Sequence, residues 1–240
     1  MAAKIDNPEA RPVESASVRP HRTVIAVLLI LLAIVAPPAA AGPPTDQLRG
    51  HVEQILKVLD DPALRPEARE RERRAAIRRV ADEIFDFGEI SRRSLGRYWQ
   101  ERSPAERQEF TLLFTDLLER SYISKIEGYS GERITFVGEA LDGEQATVRT
   151  KIVSKQGIET PVDYRVLQQG GRWRAYDVNI EGVSLVANYR SQFNSMIQRQ
   201  TYAGLVKALR AKQDEGRASE RRAAEAAPGA SPAVRPRQSP

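Results

Sequence analysis

Apolar residues recur three and four positions apart through Leu48, Val52, Ile55, Leu56 and Leu59, and Asp60, Asp61 and Pro62 close the run, which predicts a first amphipathic helix. Pro66 suits the first turn of a second. There Glu and Arg alternate from Glu67 to Arg79 with opposite charges four apart, while Ile77, Val80 and Ile84 face inward, so the charge run reads as a solvated face. Asp86 can cap a short helix through Leu95 that Gly96 ends. Ser103-Pro104-Ala105-Glu106 is a capping box with proline in the first helical position. It should open a long helix to about Glu127, with Phe110, Leu113, Phe114, Leu117 and Leu118 on its apolar face.

The period then changes from 3.6 to 2. Turn signals at Asp142-Gly143, Gln156-Gly157 and Gly170-Gly171 separate four strand-like runs, Arg133 to Ala140, Gln145 to Lys155, Ile158 to Gln168 and Arg172 to Ile180. Connections this short exclude crossover helices, so the runs predict an antiparallel meander with one apolar and one wet face. After Gly182, Ser184 can cap a helix on which Leu185, Val186, Tyr189, Phe193, Met196 and Ile197 make one broad apolar face, and Thr201 can cap a last helix carrying Leu205, Val206 and Leu209. The fold class is α+β: a four-stranded twisted antiparallel sheet with one face covered by several helices. Periodicity does not distinguish a solid interior from a ligand cavity.

Composition narrows the chemistry. The 240 residues include no cysteine and two histidines, which excludes disulfides and thiolate chemistry and leaves no imidazole set for a metal site or triad. Of the histidines, His51 reads as a surface residue of the first helix and His21 lies in the N-terminal segment. In that segment Arg19 and Arg22 precede the apolar run Val24 to Ala36, and Ala39 and Ala41 offer a cleavage site before Gly42, so residues 1–41 are expected to be a cleaved signal peptide. The run is 13 residues, about 20 Å as a helix and short of the roughly 30 Å bilayer core, which disfavours an uncleaved anchor.

The net charge of +5 does not mark a nucleic-acid surface: between Gly42 and Leu209, 26 Lys and Arg stand against 25 Asp and Glu. The excess lies in the tails. Residues 213–240, rich in Ala, Pro and basic side chains and without an apolar period, are expected to be disordered, leaving 42–212 as the folded domain.

No phosphate loop, nucleophile elbow or metal-spaced cluster is present. Asp163 and Asp177, with Tyr164 and Tyr176, could form a desolvated base and a carbonyl-polarising phenol, but their spacing is that of strand alternation and both carboxylates neighbour arginines, so surface ion pairs or strand-edge charges explain them more simply. Glu181, beside Gly182, reads as a carboxylate near the positive end of the next helix. Trp99 and Trp173 read as core or rim residues.

The stretches "FDFGEISRRSLGRYWQERSPAERQEFTLLFTDLLERSY", "GYSGE", "PVDYRV", "WRAYDVNIEGVSLVANYRSQFNSMI" and "GLVKALRAK" resemble, in order and across roughly Leu48 to Lys212, the periplasmic phospholipid-binding proteins of the maintenance-of-lipid-asymmetry (Mla) pathway, the MlaC or toluene-tolerance family. "YDVNIEGVSLVANYRSQF" is the most specific element of the likeness. The resemblance implies a nuclear-transport-factor-like shape with an apolar cavity and a periplasmic carrier of phospholipid, not an enzyme, with no cofactor or metal. It further implies exchange of lipid with an outer-membrane lipoprotein complex and with an inner-membrane ABC transporter complex containing an MCE-domain protein. On that basis Phe114, Leu117, Phe136, Val148, Val162, Tyr164, Val166, Val183, Val186, Tyr189 and Phe193 are expected to face the lipid tails. A small-molecule enzyme of similar fold and an envelope interaction protein without ligand are the alternatives.

Overall fold

The computed structural model describes residues 42–226; the expected signal peptide falls outside them. Helix α1 (Pro43–Asp60) starts on two prolines, which lack the amide protons that a helix start leaves without partners. A 3-10 turn (Glu67–Arg69) leads into α2 (Glu70–Ile84), and α3 (Phe87–Leu95) is capped by Asp86, whose carboxylate accepts the Glu89 amide at 2.9 Å. The expected capping box opens α4 (Pro104–Glu127): the Glu106 carboxylate accepts the Ser103 amide at 2.8 Å, and the Ser103 hydroxyl accepts the Glu106 amide at 3.3 Å.

The sheet has five strands in sequential antiparallel order, not four: β1 (Arg133–Asp142), β2 (Gln145–Val153), β3 (Glu159–Gln169), β4 (Arg172–Ile180) and β5 (Val183–Ser184). The fifth is two residues folded back on Asn179 and Ile180 around Glu181-Gly182, where both residues have positive φ, as a two-residue hairpin requires. Two residues are too few to display a period. Bulges put Val137 of β1 and Tyr176 of β4 out of register, bending those strands and increasing their twist. The second bulge also breaks the alternation of β4, so that Ala175, Tyr176 and Asp177 are all buried.

Only the end of β4 pairs with β5, and helical segments protect the rest of its outer edge. The Gln47 amide of α1 donates to the Trp173 carbonyl at 2.7 Å and accepts the Trp173 N–H at 3.0 Å, the Asp86 N–H donates to the Ala175 carbonyl at 2.9 Å, and Arg174 reaches the Asp82 and Phe85 carbonyls at the end of α2. The last helix, α5 (Leu185–Ala226), breaks at Thr201 (φ 68°), where the expected cap falls. It continues well past Lys212. The expectation of disorder from residue 213 therefore fails for 213–226: Glu220 pairs with Arg120 of α4 at 2.9 Å, and Gly216 lies where any Cβ would strike the same guanidinium. Residues 227–240 lie outside the description.

Two apolar clusters form the interior. One lies among α3, α4 and α5 around Phe110, Phe114, Leu118 and Phe193; the other joins α1 and α2 to one sheet face through Leu48, Ile84, Val148, Val166 and Trp173. Phe85, at the end of α2, packs against both.

Candidate functional site

The apolar sheet face is fixed by register. Val148 stands opposite Tyr164, Tyr164 opposite Val178, Thr150 opposite Val162 and Val162 opposite Ile180, so these residues share one face with Phe136, Ile134 and Ile152. Toward the β3–β4 turn this face is sealed, with Val148, Val166 and Ala175 nearly inaccessible beneath the helices. Toward the β4–β5 turn the cover is uneven: Thr150 and Val162 are buried, while Ile134, Phe136, Ile152, Tyr164, Val178 and Ile180 around them each keep part of their surface accessible. Desolvation nonetheless pushes the Tyr164 phenol up to about 12, so water is scarce around a side chain that packing leaves incompletely covered.

The helical side presents aromatic rings. Phe114 meets Tyr189 and Phe193 edge to face at 4.9 and 5.0 Å between centroids, and Phe110 meets Phe193 at 5.6 Å. Tyr189 keeps some exposure, and burial raises its hydroxyl above the ordinary phenol range, helped by nearby Tyr122 and opposed by a hydrogen bond with Ser121.

The expected tail-facing residues divide accordingly. Phe114, Leu117, Val186, Tyr189 and Phe193 belong to the helical cluster, and Val148 and Val166, with Phe136 and Tyr164 against them, to the sheet cluster. Val162 is buried on the same sheet face. Val183 is a correction: it is 61% exposed on β5, because the short hairpin turns it outward where a continuous run into the helix would have turned it in.

The catalytic alternative is not assembled. Tyr164 and Asp163 are consecutive on a regular stretch of β3 and therefore point to opposite faces. Asp177, expected at the surface, is 3% exposed, and its acceptor sites are taken: one oxygen accepts the Val186 amide at 3.0 Å, the other the Ser184 hydroxyl at 2.7 Å, with Arg165 at 3.7 Å. Ser184 in turn caps α5 by accepting the Ala187 amide at 3.0 Å. The carboxylate at the start of α5 is thus Asp177, while Glu181 is exposed in the turn. Tyr176 donates to the Gln145 side chain at 3.0 Å and lies under the Arg93 guanidinium. Among the described residues no cluster of His, Cys, Asp and Glu is spaced to hold a metal, and no helix is long and apolar enough to cross a membrane.

This arrangement matches known proteins. The family described as MlaC protein matches residues 49–211. The toluene tolerance protein ttg2D of Pseudomonas putida is 28% identical over 126 residues, covering 52% of this chain and 59% of the relative. The intermembrane phospholipid transport system binding protein MlaC of Haemophilus influenzae is 25% identical over 111 residues, covering 44% and 52%. The matched segments span little more than half the length of these two relatives. A solved structure, the phospholipid-binding protein from Ralstonia solanacearum in complex with a phospholipid, is similar with a TM-score of 0.63 at 25% identity, covering 72% of this chain and 98% of that one.

Proposed function

This chain belongs to the MlaC protein family, and from that membership we propose that it is a periplasmic phospholipid carrier, exported by the signal peptide at residues 1–41. The observation that carries this reading is the covered but unsealed half of the sheet face. Packing that leaves six apolar or aromatic side chains partly accessible, in surroundings dry enough to raise the Tyr164 phenol, is what an acyl chain would complete. The likeness to a phospholipid-bound neighbour points the same way. Leu117, Phe136, Tyr164 and Tyr189 keep accessible surface and are assigned to tail contact, while Phe114, Val148, Val162, Val166, Val186 and Phe193 form the wall behind them. The sheet and helices then enclose an apolar cavity in a nuclear-transport-factor-like shape.

Energetics explain why such a carrier is needed. About thirty methylenes at about 0.8 kcal/mol each cost on the order of 25 kcal/mol in water, so free phospholipid does not cross an aqueous compartment at a useful rate. Relative to a bilayer, the same tails gain almost nothing in an apolar pocket. Loading is therefore near balance, and docking to an outer-membrane lipoprotein complex at one membrane and an inner-membrane MCE-domain protein with its ABC transporter at the other sets the exchange that maintains outer-membrane lipid asymmetry. Catalysis has no part in this reading.

Native mass spectrometry of the protein purified from cell envelopes tests it. Phospholipid retained through gel filtration is the expected result; protein that emerges empty, with no mass added by incubation with phospholipid vesicles, would sink it.

A further inference from the structure

The start of α1 holds a carboxylate from far along the chain. With Pro43 and Pro44 in the first two helical positions, the first amide proton is that of Thr45, and Oε2 of Glu139 on β1 accepts it at 3.1 Å together with the Thr45 hydroxyl at 2.6 Å. Thr45 is 1% exposed and Glu139 half-buried, so this attachment is partly buried. The second oxygen, Oε1, faces Gly42: a Cβ there would lie 1.9 Å from it, so any larger residue would make the carboxylate shift. Standard backbone geometry then places the Gly42 nitrogen within about 4.5 Å of Oε1. Gly42 is also the residue that follows the small-residue cleavage signal Ala39-Ala40-Ala41.

We propose that export processing completes this contact: cleavage between Ala41 and Gly42 releases an α-ammonium that ion-pairs with Glu139 and fastens α1 to β1. The inference rests on the reading that the chain is exported. An α-ammonium on the residue that precedes a helix meets the positive end of the helix dipole and is unfavourable alone. Glu139 offsets that repulsion while already holding Thr45. The other charged side chains in the first two turns of α1 are Asp46 and Arg49, and the Arg49 guanidinium is engaged over the Phe136 ring at 4.3 Å. On the sheet face Glu139 has Val148 opposite it and Phe136 and Leu141 beside it, none of which titrates near neutrality. The α-ammonium would thus be tuned chiefly by one carboxylate.

The intact mass of the protein from the periplasmic fraction gives the first readout, with a chain starting at Gly42 expected. The second is the titration of the α-amine, followed by NMR after reductive methylation with 13C-formaldehyde. Three proteins are compared: the one starting at Gly42, the same protein with Glu139→Gln, and one starting at Ala40. The last leaves Glu139 and Thr45 untouched and so does not depend on a destabilising substitution. In the first the amine should titrate at least about half a unit above its ordinary value of about 7.7 to 8.0, in the Glu139→Gln protein at or below that value, because the helix dipole then acts unopposed, and in the Ala40 start at the ordinary value. Because a raised amine pKa stabilises the fold below the unfolded value and ceases to do so above the folded one, the melting-temperature advantage of the Gly42 start over the Ala40 start should be full below about pH 7 and gone above about pH 9. Equal amine titration in all three proteins overturns the ion pair. A different N-terminus, or a precursor mass, overturns the cleavage while leaving phospholipid carriage to be judged by the native mass spectrum.

Discussion

Asp177 accepts the Val186 amide at 3.0 Å from inside the protein, so the last full strand fixes both the position and the first turn of the helix that follows it. Hydrogen bonds to a charged group contribute about 1.5 to 3 kcal/mol each, and an abandoned buried amide costs about 1 to 3. Asp177→Ala should therefore lower stability by about 3 kcal/mol in urea denaturation. Asp177→Asn, which keeps one acceptor, should lose about half that and still load phospholipid. Unchanged unfolding of the alanine variant would remove Asp177 from this role.

The unsealed half of the sheet face and the helical cluster should respond differently. Ile152→Trp, in the unsealed half, adds volume where we place a tail and should lower bound phospholipid per folded protein with little change in melting temperature. Phe110→Ala, in the sealed helical cluster, should cost about 3 to 5 kcal/mol and leave loading of the folded fraction intact. Mass spectrometry beside a melting curve for each variant separates these outcomes, and a large stability loss for Ile152→Trp with normal loading would place the tails elsewhere.

Tyr164 offers an optical test. Its phenol ionises at about 12 in the folded protein against about 10 in the unfolded chain, so stability is full below about pH 10 and falls between pH 10 and 12, where only the unfolded chain releases this proton. Absorbance at 295 nm should show a late tyrosinate step that Tyr164→Phe removes. A variant titrating like the parent would show that Tyr164 is not desolvated.

The helical extension beyond Lys212 touches α4 through the Arg120–Glu220 pair and the close approach of Gly216. Exposed pairs contribute at most about 1 kcal/mol. Removing residues 213–240 should therefore shift stability by about 1 kcal/mol or less and leave phospholipid retention unchanged, whereas cooperative loss of the fold on truncation would make the extension part of the core.

What was legible in the sequence was local. Asp86, Ser103 with Glu106, and Thr201 each act on amides one turn away, so their spacing announces them, and strand alternation announced β1 to β4. The misses arose over longer range or in shorter pieces. Burial of Asp177 depends on the bulge at Tyr176, which depends on pairing with β3, and the reversal that exposes Val183 occupies four residues. The helix through 213–226 was missed because absence of an apolar face was equated with disorder. Alanine-rich sequence with pairs such as Lys212 and Glu215, and no proline before Pro228, sustains a helix without burying one side. Of the expected contact residues, the strand positions followed from alternation, but the division into sealed and unsealed halves depends on how far the helices reach across the sheet, which no periodicity encodes.

The Trp173 amide hydrogen is held by a side chain of α1 instead of a neighbouring strand. Its exchange with deuterated solvent therefore cannot begin until Gln47 withdraws, whereas the amides that β4 shares with β3 wait for the sheet itself to open. The Trp173 amide is thus a clock for the release of Gln47 from the sheet edge, readable in the intact protein, and its rate with and without phospholipid would show whether this hold of α1 on the sheet loosens as lipid comes and goes.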